Sequence, residues 1–166
     1  MYRAKTFDNM KSSPYITKAG MARLNAELNQ IWERRRGVVK ALSAAAAEGD
    51  RSENAEYIYR KKELRGLDRR IRYLQKRMPD LHVIADNPDD QNKIFFAAIV
   101  MLENEQGEHV EYRIVGPDEI DHQHGNISLD SPLAQALLSK EVDDEVTIHV
   151  QDGSKRYYII AIRYAD

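Results

Sequence analysis

Asp50 and Glu53 stand three residues apart in the run AAAAEGDRSENAEY, residues 44–57, with Ser52 between them and Glu56 just beyond. At a helix start, side chains at this spacing can point the same way. Two carboxylates so placed suit a hard cation. Magnesium takes one or two protein carboxylates, keeps several waters and binds substrate phosphates as well. Asp50 and Glu53 are therefore the candidate metal acids, and Ser52, Asn54 and Glu56 add further polar atoms. The same Asp50-x-x-Glu53 spacing also reads as a capping box, in which Asp50 caps a helix and Glu53 reaches back, with acids favoured there by the helix dipole. Both readings stay open on these residues alone. Two acids hold magnesium only weakly by themselves, so completing a half-formed metal site in a partner is the better use of them.

The elements that must position this acidic turn are two heptad patterns. Upstream, Met21, Leu24, Leu28, Ile31, Arg35, Val38, Leu42 and Ala45 alternate at spacings of 3 and 4. Downstream, Tyr57, Arg60, Leu64, Leu67, Ile71, Leu74 and Met78 do the same. Such a seam predicts helices that pair along one stripe, and a short connection makes the pair antiparallel. Thr17 is the expected cap of the first helix, with Ile16 and Met21 as a staple across it. Gly49 ends the alanine run, and Pro79 ends the second helix. From Thr17 to Ala47 the first helix would run roughly 45 Å at 1.5 Å per residue, so its far part is expected to project into solvent. The expected divisions are a polar tail over 1–13, a hairpin over 14–79 with its acidic tip at 48–56, and a second domain over 80–166.

Charge separates the halves. Residues 1–79 hold 19 Lys/Arg against 9 Asp/Glu, and residues 80–166 hold 6 against 18, so a net charge of −2 conceals +10 and −12. A basic half suits a phosphate backbone; the alternative is a solvated, highly charged helix surface. Arg65, Arg69, Arg72 and Lys76, spaced 4, 3 and 4, share one face that can track phosphates, interleaved with Tyr57, Tyr59 and Tyr73. Arg60 and Lys61 lie nearer the tip, and Asp68 is placed to pair with Arg72.

After Pro79 the period changes to that of strands. Leu81–Ile84, Ile94–Leu102, His109–Val115, Ile127–Leu129, Val146–Val150 and Tyr157–Tyr164 read as strands, and Pro132 opens a short helix to Leu138 capped by Ser131. The whole is read as α+β: a helical hairpin followed by an antiparallel sheet carrying one helix. The exposed corner Asp130-Ser131-Pro132-Leu133 reads equally as a docking surface or an ordinary helix start.

Several classes fall away. The absence of cysteine removes disulfides and thiolate metal sites. No apolar stretch is long enough to cross a bilayer, and the N-terminus lacks an apolar signal core, so a soluble cytoplasmic protein is expected. His122-x-His124 lacks a third convincing ligand for zinc. No phosphate-binding glycine loop or nucleophile elbow is present.

Four motifs carry a resemblance: G-D-R-S-E-N-A-E-Y at Gly49–Tyr57, R-R-I-R-Y-L at Arg69–Leu74, Y-R-I-V-G at Tyr112–Gly116 and I-S-L-D-S-P-L-A at Ile127–Ala134. From about Tyr15 to Tyr164 the sequence resembles the bacterial transcript cleavage factors of the GreA/GreB family, and its dense basic stripe points to the GreB branch. The resemblance implies a coiled-coil hairpin, an FKBP-like second domain and RNA polymerase as partner. It implies that the hairpin enters the polymerase's secondary channel, and that Asp50 and Glu53 help hold the second catalytic magnesium there while the polymerase hydrolyses backtracked RNA. It further implies docking through Asp130, Ser131 and Pro132, and contact of the extruded RNA by basic residues, here Arg60, Lys61, Arg65, Arg69, Arg72 and Lys76. The chain itself is then no enzyme, holds no cofactor alone and is expected to be monomeric. The alternatives are a channel-occupying inhibitor, an RNA-binding arm, or an isomerase or chaperone acting through the second domain. The segment Met1 to Lys11 has no counterpart in the family pattern.

Overall fold

The structure is a computed structural model that describes residues 12–49 and 54–165. It has two compact units: Ala19–Leu81, and a second that joins the chain up to Lys18 with the chain from His82 onward.

The first unit is the hairpin. Helix α1 spans Lys18–Ala46 and α2 spans Ala55–Arg77. The heptad seam is where the sequence places it. Leu24, Val38 and Ala45 of α1 and Ile71 and Leu74 of α2 are buried, and the remaining seam residues, Arg35 and Arg60 included, are half-buried. Between the helices the chain turns at Gly49, whose φ of 130° is a conformation that side chains resist. A 3₁₀ turn at Met78–Asp80 closes α2, with Pro79 inside it.

In the second unit the strands are β1 (Tyr15–Thr17), β2 (His82–Ile84), β3 (Ile99–Glu103), β4 (His109–Val115), β5 (Asn126–Ser128), β6 (Glu145–Val150) and β7 (Gly153–Arg163), with helix α3 over Pro132–Leu137. Five strands form one sheet in the order β5-β4-β3-β7-β6. Its pairs are antiparallel except β4 and β5, which run parallel because two 3₁₀ turns, Pro117–Glu119 and His122–His124, carry the chain back between them. The core is Ile94, Ala98, Val100, Leu102, Ile114, Ala134, Leu137, Val146 and Ile159. Alternation within β3, where Val100 and Leu102 are buried and their neighbours are not, puts one face on this core.

Three local expectations change. Residues 15–17 form a strand, β1, parallel to β2, that runs directly into α1 at Lys18. The apolar run from Ile94 is a strand only from Ile99, because the chain turns at Ala97, φ 71°, where Ala98 N–H donates to the Phe95 carbonyl. Asp68 pairs across the hairpin with Arg35 at 2.7 Å rather than with Arg72.

Candidate functional site

Asp50, Ser52 and Glu53 lie outside the described residues. What frames them is described. Asn54 is the N-cap of α2: its Oδ1 accepts from Tyr57 N–H at 3.1 Å, while its Nδ2 donates to the Ala45 carbonyl at 2.9 Å. One amide thus caps the second helix and ties it to the last turn of the first. The capping that the Asp50-x-x-Glu53 spacing suggests for the second helix is performed by Asn54. Glu56, exposed in the first turn of α2, accepts from Arg60 Nε at 2.8 Å.

The basic residues divide into two sets. Some are spent on carboxylates. Arg60 also donates to Glu63 at 3.0 Å, Arg34 donates to Glu63 at 2.7 Å, and Arg70 donates to Glu27 at 2.7 Å. Desolvation opposes ionisation of Glu63, yet the guanidinium donors of Arg34 and Arg60 outweigh it and hold its carboxyl below the usual range. Glu27, Arg34, Glu63 and Arg70 occupy the heptad position just before the seam on each helix. Antiparallel coils join such positions along one edge. That edge is closed by ion pairs.

The opposite edge is different. Trp32 and Val39, one position past the seam on α1, are exposed at 36% and 37%. Arg36 lies between them, and the Arg35 guanidinium stands 5.9 Å from the Trp32 ring centre. Lys61 occupies the equivalent place on α2, its ammonium 5.8 Å from the Tyr57 ring centre. Arg65, Arg69, Arg72 and Lys76 continue around the outer face; all are exposed, and none has a carboxylate partner among the described residues. Of the six basic residues singled out on α2, Arg60 is thus engaged in two ion pairs, and the other five have no carboxylate partner among the described residues. Trp32 and Val39 were not singled out from sequence, although their spacing of seven, with Arg36 between, is a readable signal.

The docking corner belongs to the second unit. Ser131 Oγ accepts from Ala134 N–H at 3.2 Å as the cap of α3, and Pro132 is the first helical residue. Asp130 is exposed, and its carboxylate accepts twice from Ser13: from the backbone N–H at 2.9 Å and from the hydroxyl. Nearby, buried Glu119 gathers the N–H groups of Thr17 and Gly116 at 3.0 and 2.8 Å together with the Thr17 hydroxyl. A Cβ on Gly116 would lie 1.9 Å from the Tyr15 carbonyl oxygen, so only glycine permits this approach. His124 is hydrogen-bonded to Asp121 at 2.6 Å, which holds that carboxyl below its usual range. No group of three metal-ligating side chains occurs among the described residues, and no described helix is long and apolar enough to cross a membrane.

Two family models match: transcription elongation factor, N-terminal, over residues 14–83, and transcription elongation factor GreA/GreB, C-terminal, over residues 88–164. The chain is 52% identical over 153 residues to transcription elongation factor GreB of Pseudomonas aeruginosa, covering 92% of this chain and 91% of that one. It is 55% identical over 157 residues to the GreB of Xanthomonas axonopodis, covering 93% and 94%. Among solved structures, GreA factor homolog 1 of Thermus thermophilus is 25% identical, with 90% and 97% covered and a TM-score of 0.40.

Proposed function

Since the chain belongs to the GreA/GreB family of transcription elongation factors, we propose that it activates RNA polymerase's own cleavage of backtracked RNA and cleaves nothing itself. The hairpin enters the secondary channel, and the exposed corner at Asp130, Ser131 and Pro132 holds the polymerase. Asp50 and Glu53 are the metal-facing acids. Their donor set suits magnesium: hard carboxylate oxygens, with no thiolate or imidazole in the run. When bound between the two proteins, magnesium neutralises charge at the attacked phosphate and lowers the pKa of its water.

The observation that carries this reading is the role of Asn54. Because Asn54 is the N-cap of α2 and its amide also binds the end of α1, the cap of the second helix does not fall to Asp50. That supports reading Asp50 and Glu53 as ligands rather than caps. Glu56 holds the head of Arg60 and supports the site from the helix. Lys61, Arg65, Arg69, Arg72 and Lys76 face the phosphates of the extruded RNA, and the ion-paired edge does not. Such a factor works in the cytoplasm as a monomer, since the acids belong in another protein's active centre.

The test is direct. Purified chain and magnesium are added to stalled elongation complexes, and RNA length is followed. Shortened RNA that again extends on adding nucleotides is expected. Blocked synthesis without shortening would mark a channel-occupying inhibitor and end the cleavage reading.

A further inference from the structure

We infer that Ser13 is a positioning residue for docking, which makes the docking corner a composite of the N-terminal strand and the turn before α3. The inference rests on the reading of Asp130 as a contact to polymerase.

The Asp130 carboxylate is exposed and stands on a turn, where an unsupported side chain samples several rotamers. Ser13 removes that freedom by donating to both of its oxygens, the backbone N–H to one and the hydroxyl to the other. An ionised carboxylate has about four acceptor sites. Ser13 occupies two and leaves the others for a cationic partner, a guanidinium or ammonium group. The carboxylate is therefore preorganised without being blocked, and preorganisation raises affinity by reducing the ordering cost of binding.

Ser13 is itself delivered by a device built from distant residues. His82 N–H donates to the Pro14 carbonyl at 2.7 Å, and β1 lies along β2 from Tyr15 to Thr17. At its far end the strand is clipped by Glu119, and Gly116 leaves room for the Tyr15 carbonyl. Pro14 then fixes the direction in which the chain leaves the strand. The result is a backbone N–H and a hydroxyl presented side by side at Asp130.

The experiment measures RNA cleavage in stalled elongation complexes against concentration of the full-length chain, for Ser13→Ala, Ser13→Thr and Asp130→Asn. Ser13→Ala keeps the backbone donor and loses the hydroxyl. It should raise the concentration for half-maximal cleavage about five- to tenfold, the scale of one charge-assisted hydrogen bond. The rate at saturation should be unchanged, which a general folding defect would not allow. Ser13→Thr should restore wild-type behaviour to within about twofold. In an Asp130→Asn background, Ser13→Ala should add little, because both act through one carboxylate. Ser13→Ala at the wild-type level beside an impaired Asp130→Asn overturns the positioning role alone. Tighter docking by Ser13→Ala also overturns it, since Ser13 would then compete with the partner. Asp130→Asn at the wild-type level removes the docking assignment itself, whatever Ser13 does.

Discussion

The two units are stabilised in different ways, and the difference explains how each can bear a functional surface. The sheet unit has a true interior, with Ile94, Val100, Leu102, Ile114, Leu137 and Ile159 inaccessible to solvent. Its exposed corner is held by a contact distant in sequence, from Ser13, and Glu119 in turn holds the strand that follows Ser13. The hairpin has an interior one seam wide, in which few side chains are wholly buried, and it relies on cross-helix ion pairs, two along one edge and Arg35 with Asp68 on the other. A body with a thick core can present a fixed docking point. A thin coil gives reach, and most of its side chains stay free to face a ligand.

The largest expected effect separates tip from grip. Asp50→Asn and Glu53→Gln should each lower cleavage stimulation at least about a hundredfold, the scale of losing a preorganised charge at a reacting phosphate. Both should still compete with the wild-type chain for polymerase. Loss of competition would show that the tip also grips, and the comparison would break.

Next comes the contrast in cores. Leu102→Ala should destabilise the sheet unit by about 2–5 kcal/mol, whereas Leu28→Ala, at a half-buried seam position, should cost about 1–2 kcal/mol. Urea denaturation followed by residue-resolved NMR in each unit measures both. Equal losses would mean that the seam packs as tightly as the sheet.

A smaller effect concerns the open face. Replacing Arg65, Arg69 and Arg72 by Glu should weaken crosslinking to the RNA 3′ segment. It should also flatten the logarithmic salt dependence by about two, at roughly 0.7 per phosphate contact on a single strand. An unaltered crosslink would assign this face to solvent. Reversing Arg34 and Arg70 instead should leave the salt slope alone and loosen the hairpin.

The smallest effect is on the closed edge. Glu63→Gln should cost under about 1 kcal/mol, since a partly exposed pair is screened. Because the carboxyl is held below its ordinary range, its contribution is complete above that range. It is lost as pH falls through the depressed value. The helical signal of the wild-type hairpin should therefore weaken in acid, and that of Glu63→Gln should weaken less over the same window.

What could be read in advance followed from how local each cause is. The seam was legible because burial on a helix repeats at 3 and 4, and even Arg35 and Arg60 sit half-buried where the pattern puts them. The start of α3 was legible because Ser131 and Pro132 act on the residues next to them. The strand at Tyr15–Thr17 was not legible, because the partner of Thr17, Glu119, is remote in sequence and nothing nearby announces it. The choice of cap for α2 stayed open for a related reason. Asp50 and Asn54 are both competent caps, and the choice between them turns on the Ala45 carbonyl, which only the pairing of the helices supplies. The parallel placement of β5 followed from two tight turns that carry no hydrophobic pattern. The acids themselves were the plainest feature of the sequence, and their geometry falls outside the described residues.

Asn54 has a consequence for chemical ageing. As a cap it could be replaced by aspartate with little loss, since either side chain offers an oxygen to Tyr57 N–H. As a clasp it could not, because aspartate has no N–H to give the Ala45 carbonyl and sets one acceptor against another. Deamidation at this one amide would leave the second helix capped and unfasten it from the first. The lesion would be invisible to a measurement of helix content and legible in how firmly the two ends of the loop are held together.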